Sequence, residues 1–564
     1  MAISVQPADF KALDRMLGEL KQARMQREQE WQTIADVFTP RKDFSLPQRV
    51  GELRKRRLTS SVPAMSLIRG AAMLVGQIVS QTQPFVRANV DRGLLSAGRP
   101  SELDAEARDY LGKVEWQVFD AMLLPESRFL TSASRVAIEL FAFGSAVQWT
   151  GRKRGFGPKY QTRPLRACWF SENEDGDVDT LFYCFTLPLW ACERRWGAAA
   201  LPQKWRDDLA DDAKARKHKT IYHAVYPRLG GVDGAEARAK PFAEVYFTQD
   251  DQHVLAESGY DTFPYAVPRI NVEEGSCYGT GLAWRVLPEA LVLHSLTQMT
   301  ENAVGLRANP PLLLPKRMFG KAIDRRMGAV NYYDGAGLGF QNASDAVQKL
   351  DIAGNVEVAA AWLARLETNV EQAFFVDFLR LRDSGNMTAE EVRERRRLRI
   401  GAMAGFVPEI DRDWMGRSAD RTLDVMVAEG MVRNPPRSLS GVAVDWDYAG
   451  PLAQEQLRGQ VDAFELAARL ALETRDLDPS AAYALNIEEG LRSVGEALAL
   501  PPAALRGRKE VAELRARDEQ ARAMAENAEI AETAARALQA GGQGAANIVA
   551  ADQMQNGFVG RKAA

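Results

Sequence analysis

Cysteine and histidine are scarce in this sequence, and their scarcity limits the chemistry that the chain can carry. The 564 residues include four cysteines and four histidines, and no two cysteines stand in C-x-x-C spacing. Structural zinc sites and redox motifs use such spacing, and disulfide-stabilised folds are short chains rich in cysteine. We therefore expect no structural metal and no disulfide framework, with free thiols that suit a reducing compartment.

Long apolar segments are also missing. The N-terminus, MAISVQPADFKALDRML, lacks the apolar core of a secretory signal. The longest apolar runs, such as Leu181–Cys192, have about 12 residues, whereas a helix needs about 20 to cross a bilayer. We therefore expect a protein that is assembled in the cytosol and has no membrane partner.

Motifs that mark enzymes are absent as well. No G-x-x-x-x-G-K-[ST], H-E-x-x-H or G-x-S-x-G sequence occurs. In Gly335-x-Gly337-x-Gly339 the third glycine comes too early for a dinucleotide-binding turn. The sequence therefore predicts no catalytic residue, no cofactor and no metal site. A nuclease with scattered metal-binding carboxylates is the enzyme hypothesis that the 75 acidic residues leave open.

The overall composition is that of a soluble, multidomain protein. Hydrophobic residues make up 46% and charged residues 26% of the chain, and the formal net charge is −3. A chain of this length is too long for one ordinary domain. Because the net charge is slightly negative, any contact with nucleic acid has to come from local basic patches.

The first half of the chain changes from helical to strand-like periodicity. Residues 9–37, 64–79, 103–121 and 126–143 have helical spacing, and short runs rich in Val, Tyr, Phe and Trp between 147 and 271 predict antiparallel strands. Small side chains in the second helix predict close packing against a neighbour: Gly70, Ala71, Ala72 and Gly76. The acidic turn Glu172–Thr180 favours a hairpin at Asp175-Gly176 over a calcium loop.

The second half is mainly helical. Helices are predicted over 287–307 and 355–381, on either side of a small α/β insert at 310–351. A long helix should run from 388 to 429, kinked by Pro408 and nearby glycines. A charged helix over 508–540 is either a coiled-coil or barrel seam or a lone solvated helix. The fold class predicted is therefore α+β, mainly helical.

An arginine-rich stretch, RLRDSGNMTAEEVRERRRLR, runs from Arg380 to Arg399. A short Gly/Asn loop lies between two arginines and a new helix, which begins with a capping box formed by Thr388 and Glu391. Arginines at the base of a flexible loop can touch phosphates without reading bases. The arginines of the helix alternate with glutamates, so we expect them to form salt bridges, with a solvated charged helix as the alternative.

Several segments, in this order, resemble the portal proteins of tailed bacteriophages, and most closely the head-to-tail connector family of short-tailed phages (the podovirus type). The similar segments are RLTSSVPAMSLIRGAAMLVGQIVSQTQPFVR (Arg57–Arg87), ENEDGDVDTLFYCFTL (Glu172–Leu187), SCYGTGLAWRVLPEALVLHSL (Ser276–Leu296), NMTAEEVRERRR (Asn386–Arg397) and GPLAQEQ (Gly450–Gln456). The resemblance covers residues 10–525, and the last 40 or so residues are outside it.

The resemblance implies a phage portal fold assembled as a cyclic dodecamer around a central channel. The wing would span 1–285, the first stem helix 286–309, the clip 310–353 and the second stem helix 354–380. A channel (tunnel) loop at 381–388 would be followed by a long kinked helix at 389–450 that returns through the wing. The crown would occupy 451–505, and a C-terminal helix and flexible tail 506–564.

The resemblance also implies which residues act. The channel loop and its flanks would face the DNA through Arg380, Arg382, Ser384, Gly385, Asn386 and Met387. Salt bridges within or between subunits would involve Glu390, Glu391, Arg393, Glu394, Arg395, Arg396 and Arg397. A basic cluster in the clip would be a docking face, with a solvated loop as the alternative: Lys316, Arg317, Lys321, Arg325 and Arg326.

The implied function is that of a non-enzymatic conduit in the virion, at the head–tail vertex. Double-stranded DNA would be packaged and ejected through the ring without sequence specificity. The implied partners are further copies of the chain in a 12-mer, terminase, the major capsid and scaffolding proteins, and a tail adaptor protein. Another helical virion or scaffold protein is the alternative besides the nuclease.

Overall fold

The fold is that of a computed structural model of the chain. The structure describes residues 3–4, 9–40, 58–90, 105–153, 155–229, 240–315, 324, 326–333, 348–349, 356–376, 401, 404–439, 444–450, 461, 463–471, 473, 486–497, 506 and 508–539.

The α-helices that the structure describes, in chain order, are α1 (Phe10–Phe38), α2 (Val62–Ile78), α3 (Ala105–Leu123), α4 (Phe129–Phe143), α5 (Leu189–Trp196), α6 (Gln203–Leu209), α7 (Asp212–Ala215), α8 (Leu282–Arg285), α9 (Leu287–Ala308), α10 (Val356–Ala373), α11 (Val407–Ile410), α12 (Arg417–Ala428), α13 (Ile487–Ala497) and α14 (Arg508–Gln539). None of these helices is long and apolar enough to cross a membrane.

The strands in the described ranges are β1 (Ile3–Ser4), β2 (Val86–Val90), β3 (Val147–Lys153), β4 (Gly157–Arg163), β5 (Cys168–Glu172), β6 (Val178–Pro188), β7 (His218–Leu229), β8 (Phe242–Thr248), β9 (His253–Tyr260), β10 (Tyr265–Ala266), β11 (Leu312–Pro315), β12 (Val330–Tyr333), β13 (Gln348–Lys349) and β14 (Val444–Tyr448). The chain is therefore a mixture of helix and strand, as the α+β prediction requires.

The predicted antiparallel strands between 147 and 271 are confirmed. Strands β5 to β9 pair in sequence order as antiparallel neighbours, and β1 pairs with β7 in parallel. A second sheet has the order β10-β3-β4. The predicted hairpin turn joins β5 to β6, and Gly176 adopts φ +78°, a conformation that favours glycine. The sequence did not predict helices α5 to α7, which lie between β6 and β7.

Helix α1 packs on one face of the six-stranded sheet formed by β1 and β5 to β9. Leu13 and Leu17 are buried against Phe182 and other sheet residues. Arg24 is fully buried. Its guanidinium donates to the carbonyl oxygens of Leu165, Arg166 and Cys168 and pairs with Glu28. A buried charge is tolerated only when its hydrogen bonds are satisfied in this way. These contacts fix the helix to the sheet.

Distant parts of the chain meet in a two-stranded sheet formed by β2 and β14. The strands are antiparallel, with Ala88 opposite Trp446. The Tyr448 hydroxyl donates to the carbonyl oxygens of Gln77 and Ile78, the last two residues of helix α2. The sheet therefore joins a segment in the first quarter of the chain to one more than 350 residues later.

Helices α9 and α10 pack against each other and form what we call the helix pair. At one end of the pair lies a small sheet, in which β11 pairs with β12 in parallel and with β13 antiparallel. The predicted helix over 287–307 and the strands of the predicted insert are confirmed. The Gly335–Gly339 run lies outside the described residues.

Two details of the helix predictions are wrong. Helix α10 was expected to continue to about Leu381, but it ends at Ala373, and Phe375 adopts φ +61°, which interrupts helical geometry. In α2 only part of the small-residue prediction is confirmed: Gly70 and Ala71 are packed, whereas Gly76 has no atom near its would-be Cβ. Residues 377–381 lie outside the described residues.

The segment that we call the return segment, residues 404–428, is irregular, as the prediction of a kinked helix requires. A 3₁₀ turn at Ala404–Phe406 leads into α11, a π-helical stretch follows at Asp411–Gly416, and α12 completes the segment. Pro408 lies within α11, where its missing N–H prevents a regular continuous helix. The predicted C-terminal helix is confirmed as α14.

Candidate functional site

Most of the site residues named from the sequence lie outside the described residues. This holds for the whole channel-loop set, Arg380, Arg382, Ser384, Gly385, Asn386 and Met387. It holds for the salt-bridge set, Glu390, Glu391, Arg393, Glu394, Arg395, Arg396 and Arg397, and for Lys316, Arg317, Lys321 and Arg325 of the basic cluster. The structure places Arg326 and the two ends of the segment that holds the loop.

Arg326 lies in an exposed turn beside the small sheet. Its guanidinium pairs with the Asp324 carboxylate, with 2.6 Å between Nη2 and Oδ2, and this partner holds the pKa of Asp324 at about 2. The Asn331 side chain bonds both the backbone N–H and the carbonyl oxygen of Asp324. The turn thus presents a cation whose charge is partly balanced by a local carboxylate.

The two ends of residues 377–403, which we call the arginine segment, lie at the same place in the fold. Phe374 and Val376 are buried just before the segment. The Phe375 ring lies 6.2 Å from the ring of Phe406, which follows the segment, and both rings contact Phe141 of α4, at 6.5 and 6.1 Å between centroids. An aromatic cluster therefore holds the exit and the re-entry of the arginine segment together.

Helix α2 supports this cluster from the side. A Cβ atom at Gly70 would lie 2.5 Å from the carbonyl oxygen and 3.0 Å from the Cβ atom of Phe374. Only glycine allows the backbones of α2 and of the α10 end to approach so closely. Gly70 is therefore a positioning residue for the exit of the arginine segment, and the small residues noted in the sequence were its signal.

The return segment is fixed to the interior by a buried polar network. The Trp414 indole N–H donates to Gln148 Oε1 over 2.6 Å, and the Ser418 hydroxyl donates to the same oxygen. The Gln148 amide in turn donates to Ser132, which is hydrogen-bonded to Thr162. Because each buried polar group has a partner here, the network favours one position of the return segment over others.

Ion pairs fix the outer side of the return segment to the β5–β6 turn. Arg412 and Arg417 both pair with the carboxylate of Asp177. This is the acidic turn that was considered for calcium. Among the described residues no group of acidic, histidine or cysteine side chains has the arrangement of a metal site. The acidic turn therefore serves as a docking point for a basic helix surface.

A second ion pair joins the same turn to the entry of the helix pair. The Arg269 guanidinium donates to Glu172 over 2.6 Å, to the Gly176 carbonyl over 2.6 Å and to the Cys277 carbonyl over 3.1 Å. Its Nε lies 3.8 Å from Asp413 of the return segment. Burial raises the pKa of Asp413, and Arg269 opposes that shift. Arg269 thus connects the β5–β6 hairpin, the segment that leads to α8 and the return segment.

Two glycines, Gly279 and Gly281, allow the chain to enter the helix pair. Cβ atoms at Gly279 or Gly281 would collide with backbone atoms of Ala142 to Gly144 and of Ile270. Tyr278, in the same sequence motif, packs its ring 4.4 Å from that of Phe170. The YGTG motif therefore forms a backbone-to-backbone junction between α4 and the helix pair.

The residues before α2 hold the helix pair at another point. The Thr59 hydroxyl donates to the carbonyl oxygen of His294 over 2.7 Å, and the Ser60 backbone N–H donates to Nδ1 of the same histidine over 3.2 Å. His294 is in the middle of α9. His294 thus joins α9 to the residues that precede α2. Its isolated position in the sequence gave no sign of this contact.

A buried cluster around His223 could be mistaken for a catalytic triad. Nε2 of His223 lies 3.1 Å from Glu244, Nδ1 lies 2.6 Å from the Tyr265 hydroxyl, and Ser258 donates to Glu244. Burial lowers the pKa of His223, whereas hydrogen bonds from His223, Ser258 and Tyr260 outweigh burial and bring that of Glu244 to about 2. All these groups are engaged with one another, so the cluster joins the two sheets and offers no exposed nucleophile.

The chain matches known protein families over most of its length. Residues 11–505 match the sequence model of the family described as bacteriophage head to tail connecting protein. A probable portal protein of Bordetella phage BPP-1 is 24% identical over 451 residues, which cover 78% of each chain. The portal protein of Salmonella phage epsilon15 is 21% identical over 529 residues, which cover 89% of each chain.

Proposed function

Because the chain belongs to the family of bacteriophage head to tail connecting proteins, we propose that it is a portal protein, located in the virion where the head meets the tail. The observation that carries this function is the family match across residues 11–505, together with two relatives named as portal proteins. The family is structural, and we assign the chain no catalytic role.

The finer architecture is part of the same proposal. The helix pair serves as the stem, the small sheet β11–β13 as the clip, and the sheets with helices α1 to α4 as the wing. Residues 451–505 are assigned to the crown. Twelve copies form a closed ring, as cyclic assemblies with head-to-tail interfaces do. The packing of α9 on α10, with the small sheet at one end, supports this assignment.

The arginine segment lines the channel in this proposal. Its two ends are held together by Phe141, Phe375 and Phe406, so the residues between them form one excursion from the wing. Repeated in every copy, such an excursion makes a ring of Gly/Asn loops flanked by arginines. Arg380 and Arg382 contact DNA phosphates without sequence preference, because phosphate contacts carry no base information. The alternating charges from Glu390 to Arg397 balance one another, which keeps the DNA from binding too tightly.

The proposed binding partners follow from the position of the ring between head and tail. Terminase docks on the clip during packaging, and a tail adaptor protein replaces it there. Lys316, Arg317, Lys321, Arg325 and Arg326 form the docking face. Capsid and scaffolding proteins contact the wing during assembly in the host cytoplasm. Because each contact is repeated around the ring, a modest patch on one copy suffices for stable binding.

Deletion of Gly385–Met387 tests the assignment of the channel loop. The deletion should leave ring assembly intact, because the aromatic cluster holds the ends of the segment, and should impair packaging or retention of DNA. Deletion of the last three residues, Lys562–Ala564, is a control of equal length. The readouts are the fraction of rings in electron micrographs and the amount of nuclease-protected DNA. A loss of rings, or normal packaging, would refute the loop assignment.

A further inference from the structure

The two-stranded sheet formed by β2 and β14 has a carboxyl group at each of its outer edges. Glu115 of α3 accepts the backbone N–H of Ala88 over 3.0 Å. Asp411 of the return segment accepts that of Tyr448 over 2.8 Å. In an antiparallel pair, the N–H groups of alternate residues point away from the partner strand. Ala88 and Tyr448 lie at such positions, two steps apart along the ladder, so a carboxyl side chain bonds each outer edge of the sheet.

This sheet attaches β14 to the first helices of the chain. A two-stranded sheet by itself is marginally stable in water. A Cβ atom at Gly450 would lie 2.4 Å from the Ile78 carbonyl oxygen, so the chain after β14 runs close against the end of α2. A Cβ atom at Gly416 would lie 3.8 Å from the Trp446 carbonyl oxygen, which places β14 beside the π-helical stretch of the return segment. The groups at the edges of the sheet therefore affect how firmly residues 444–450 are held.

Negative groups outnumber positive ones around the sheet. A third carboxyl group, that of Asp420 on α12, faces Asp445 of β14. The charged side chains that act most strongly on the three carboxyl groups are Arg87 on Glu115, Asp445 and Asp447 on Asp411, and Arg417, Asp445 and Asp424 on Asp420. Ionisation of Asp411 or Asp420 therefore places a negative charge next to others, and like charges disfavour the ionised form.

The three carboxyl groups accept a proton more readily than exposed ones do. Burial raises the pKa of Glu115 to about 7 and that of Asp420 to about 6. Burial also raises the pKa of Asp411, and the aspartates of β14 add to this shift. A carboxyl group whose pKa is raised in the closed sheet stabilises closure below its ordinary pKa, and this contribution is lost as the pH rises through the raised value. The closed sheet is therefore most stable in acid and weakens as the pH rises past about 7.

We propose that the β2–β14 sheet is a clasp, which is closed while Glu115 and Asp411 are neutral and opens locally when they ionise. Opening detaches β14 from β2 and from the end of α2. The network around Gln148 and the ring contacts of Phe406 do not involve these carboxyl groups, so they hold the rest of the return segment in place. The clasp thus sets how firmly the chain beyond residue 450 is attached to the first helices. It goes beyond the proposed function and operates within a single copy of the chain.

Hydrogen exchange of the full-length protein, followed by mass spectrometry at pH 5.5, 7 and 8.5, tests the clasp. Protection factors are compared, so the effect of pH on the intrinsic exchange rate is removed. We expect the protection of β2 and β14 to fall at least about tenfold from pH 5.5 to 8.5, the equivalent of one pKa unit. At pH 8.5 both strands should exchange faster than β6 and β7, which pair over eight positions of the main sheet, because a local opening needs less free energy than global unfolding.

Neutral variants identify the groups that titrate. Glu115→Gln with Asp411→Asn keeps an oxygen acceptor at both edges and should remove most of the fall in protection. Glu106→Gln with Asp120→Asn, at exposed positions of α3, is the matched control and should behave as the wild type does. An undiminished fall in the neutral variant would overturn the proposal. If that variant does not fold, the wild-type data still decide: constant protection of β2 and β14, or protection equal to that of β6 and β7 at pH 8.5, would show that no clasp opens locally.

Discussion

The ring of Phe375 lies 6.2 Å from that of Phe406, although the whole arginine segment stands between them in the sequence. Both rings contact Phe141, whose helix is part of the main core. The segment proposed to line the channel is thus tied at both ends to the main hydrophobic core. A loop that has to yield to passing DNA without displacing the subunit needs such an anchor.

The aromatic cluster predicts the effect on stability of removing one of its aromatic side chains. Phe406→Ala should lower the free energy of unfolding by about 2 kcal/mol, because a half-buried aromatic side chain loses its contacts with two other rings. Chemical denaturation monitored by circular dichroism would measure the change. Phe156→Ala is the matched control, since Phe156 is 55% exposed and should change stability by about 0.5 kcal/mol or less. Equal effects of the two substitutions would contradict the role of the cluster.

Two glycines of α2 provide a comparison within one helix. Gly70→Ala should destabilise the protein by about 1–3 kcal/mol, because the new Cβ atom would lie 2.5 Å from the Phe374 carbonyl oxygen. A Cβ atom at Gly76 would meet no other atom within 4 Å, so Gly76→Ala should stabilise the helix by about 0.5–1 kcal/mol. The thermal unfolding midpoints of the two variants should therefore move in opposite directions. A Gly70→Ala variant as stable as the wild type would argue against the close approach of α2 and α10.

Glu115 predicts a dependence of stability on pH. Burial raises its pKa from 4.5 to about 7, opposed by the Ala88 backbone N–H and by Arg87. A carboxyl group with a raised pKa in the folded state stabilises that state below pH 4.5, and this contribution is lost as the pH rises through about 7. Glu115→Gln keeps an oxygen acceptor for Ala88 without the charge. It should leave stability at pH 5 nearly unchanged and increase it by up to about 3 kcal/mol at pH 8.5.

Unfolding curves of Glu115→Gln between pH 5 and 8.5 would check this prediction. Glu106→Gln, at an exposed position of the same helix, is the control and should follow the wild-type profile. Asp420, whose pKa burial raises to about 6, adds a dependence of the same sign. The decrease of the free energy of unfolding with pH should therefore become less steep in Glu115→Gln but should not vanish. A variant with the wild-type slope would show that Glu115 is not the titrating group.

The proposed role of Arg380 and Arg382 in the channel predicts an effect on DNA that is independent of the DNA sequence. Replacing Arg380 and Arg382 together with alanine should reduce retention of packaged DNA and weaken the response of retention to salt, because each phosphate contact releases counterions. Nuclease-protected DNA in filled heads, measured across salt concentrations, is the readout. Arg206→Ala, on helix α6 between β6 and β7, should retain DNA as the wild type does. A change in sequence preference would point to base contacts and contradict the account.

The sequence allowed the local elements to be predicted, because apolar spacing and turn residues are local signals. Helix α9 and the β5–β6 hairpin were located in this way. The pairing of β2 with β14 and the contact of Phe375 with Phe406 were not predicted, because they depend on distant segments that no short pattern connects. The end of α10 was missed for the same reason: Phe375 adopts its positive φ where aromatic packing overrides helix propensity.

The candidate site was predictable only through resemblance. Arginines and glutamates on a helix occur in many solvated helices, so their pattern alone does not distinguish a channel from a surface. The residues that position the segment, Gly70 and Phe406, carry no charge. Gly70 was noticed as a small packing residue, but its partner Phe374 lies some 300 positions further along the chain.

The native mass of the purified full-length protein, determined together with negative-stain imaging, tests the central claim most directly. Twelve copies of the 62.4 kDa chain have a mass of roughly 750 kDa, and the account predicts this mass in a closed ring with a central hole wide enough for duplex DNA. A filament, or a compact dimer with an enclosed cleft, would contradict it.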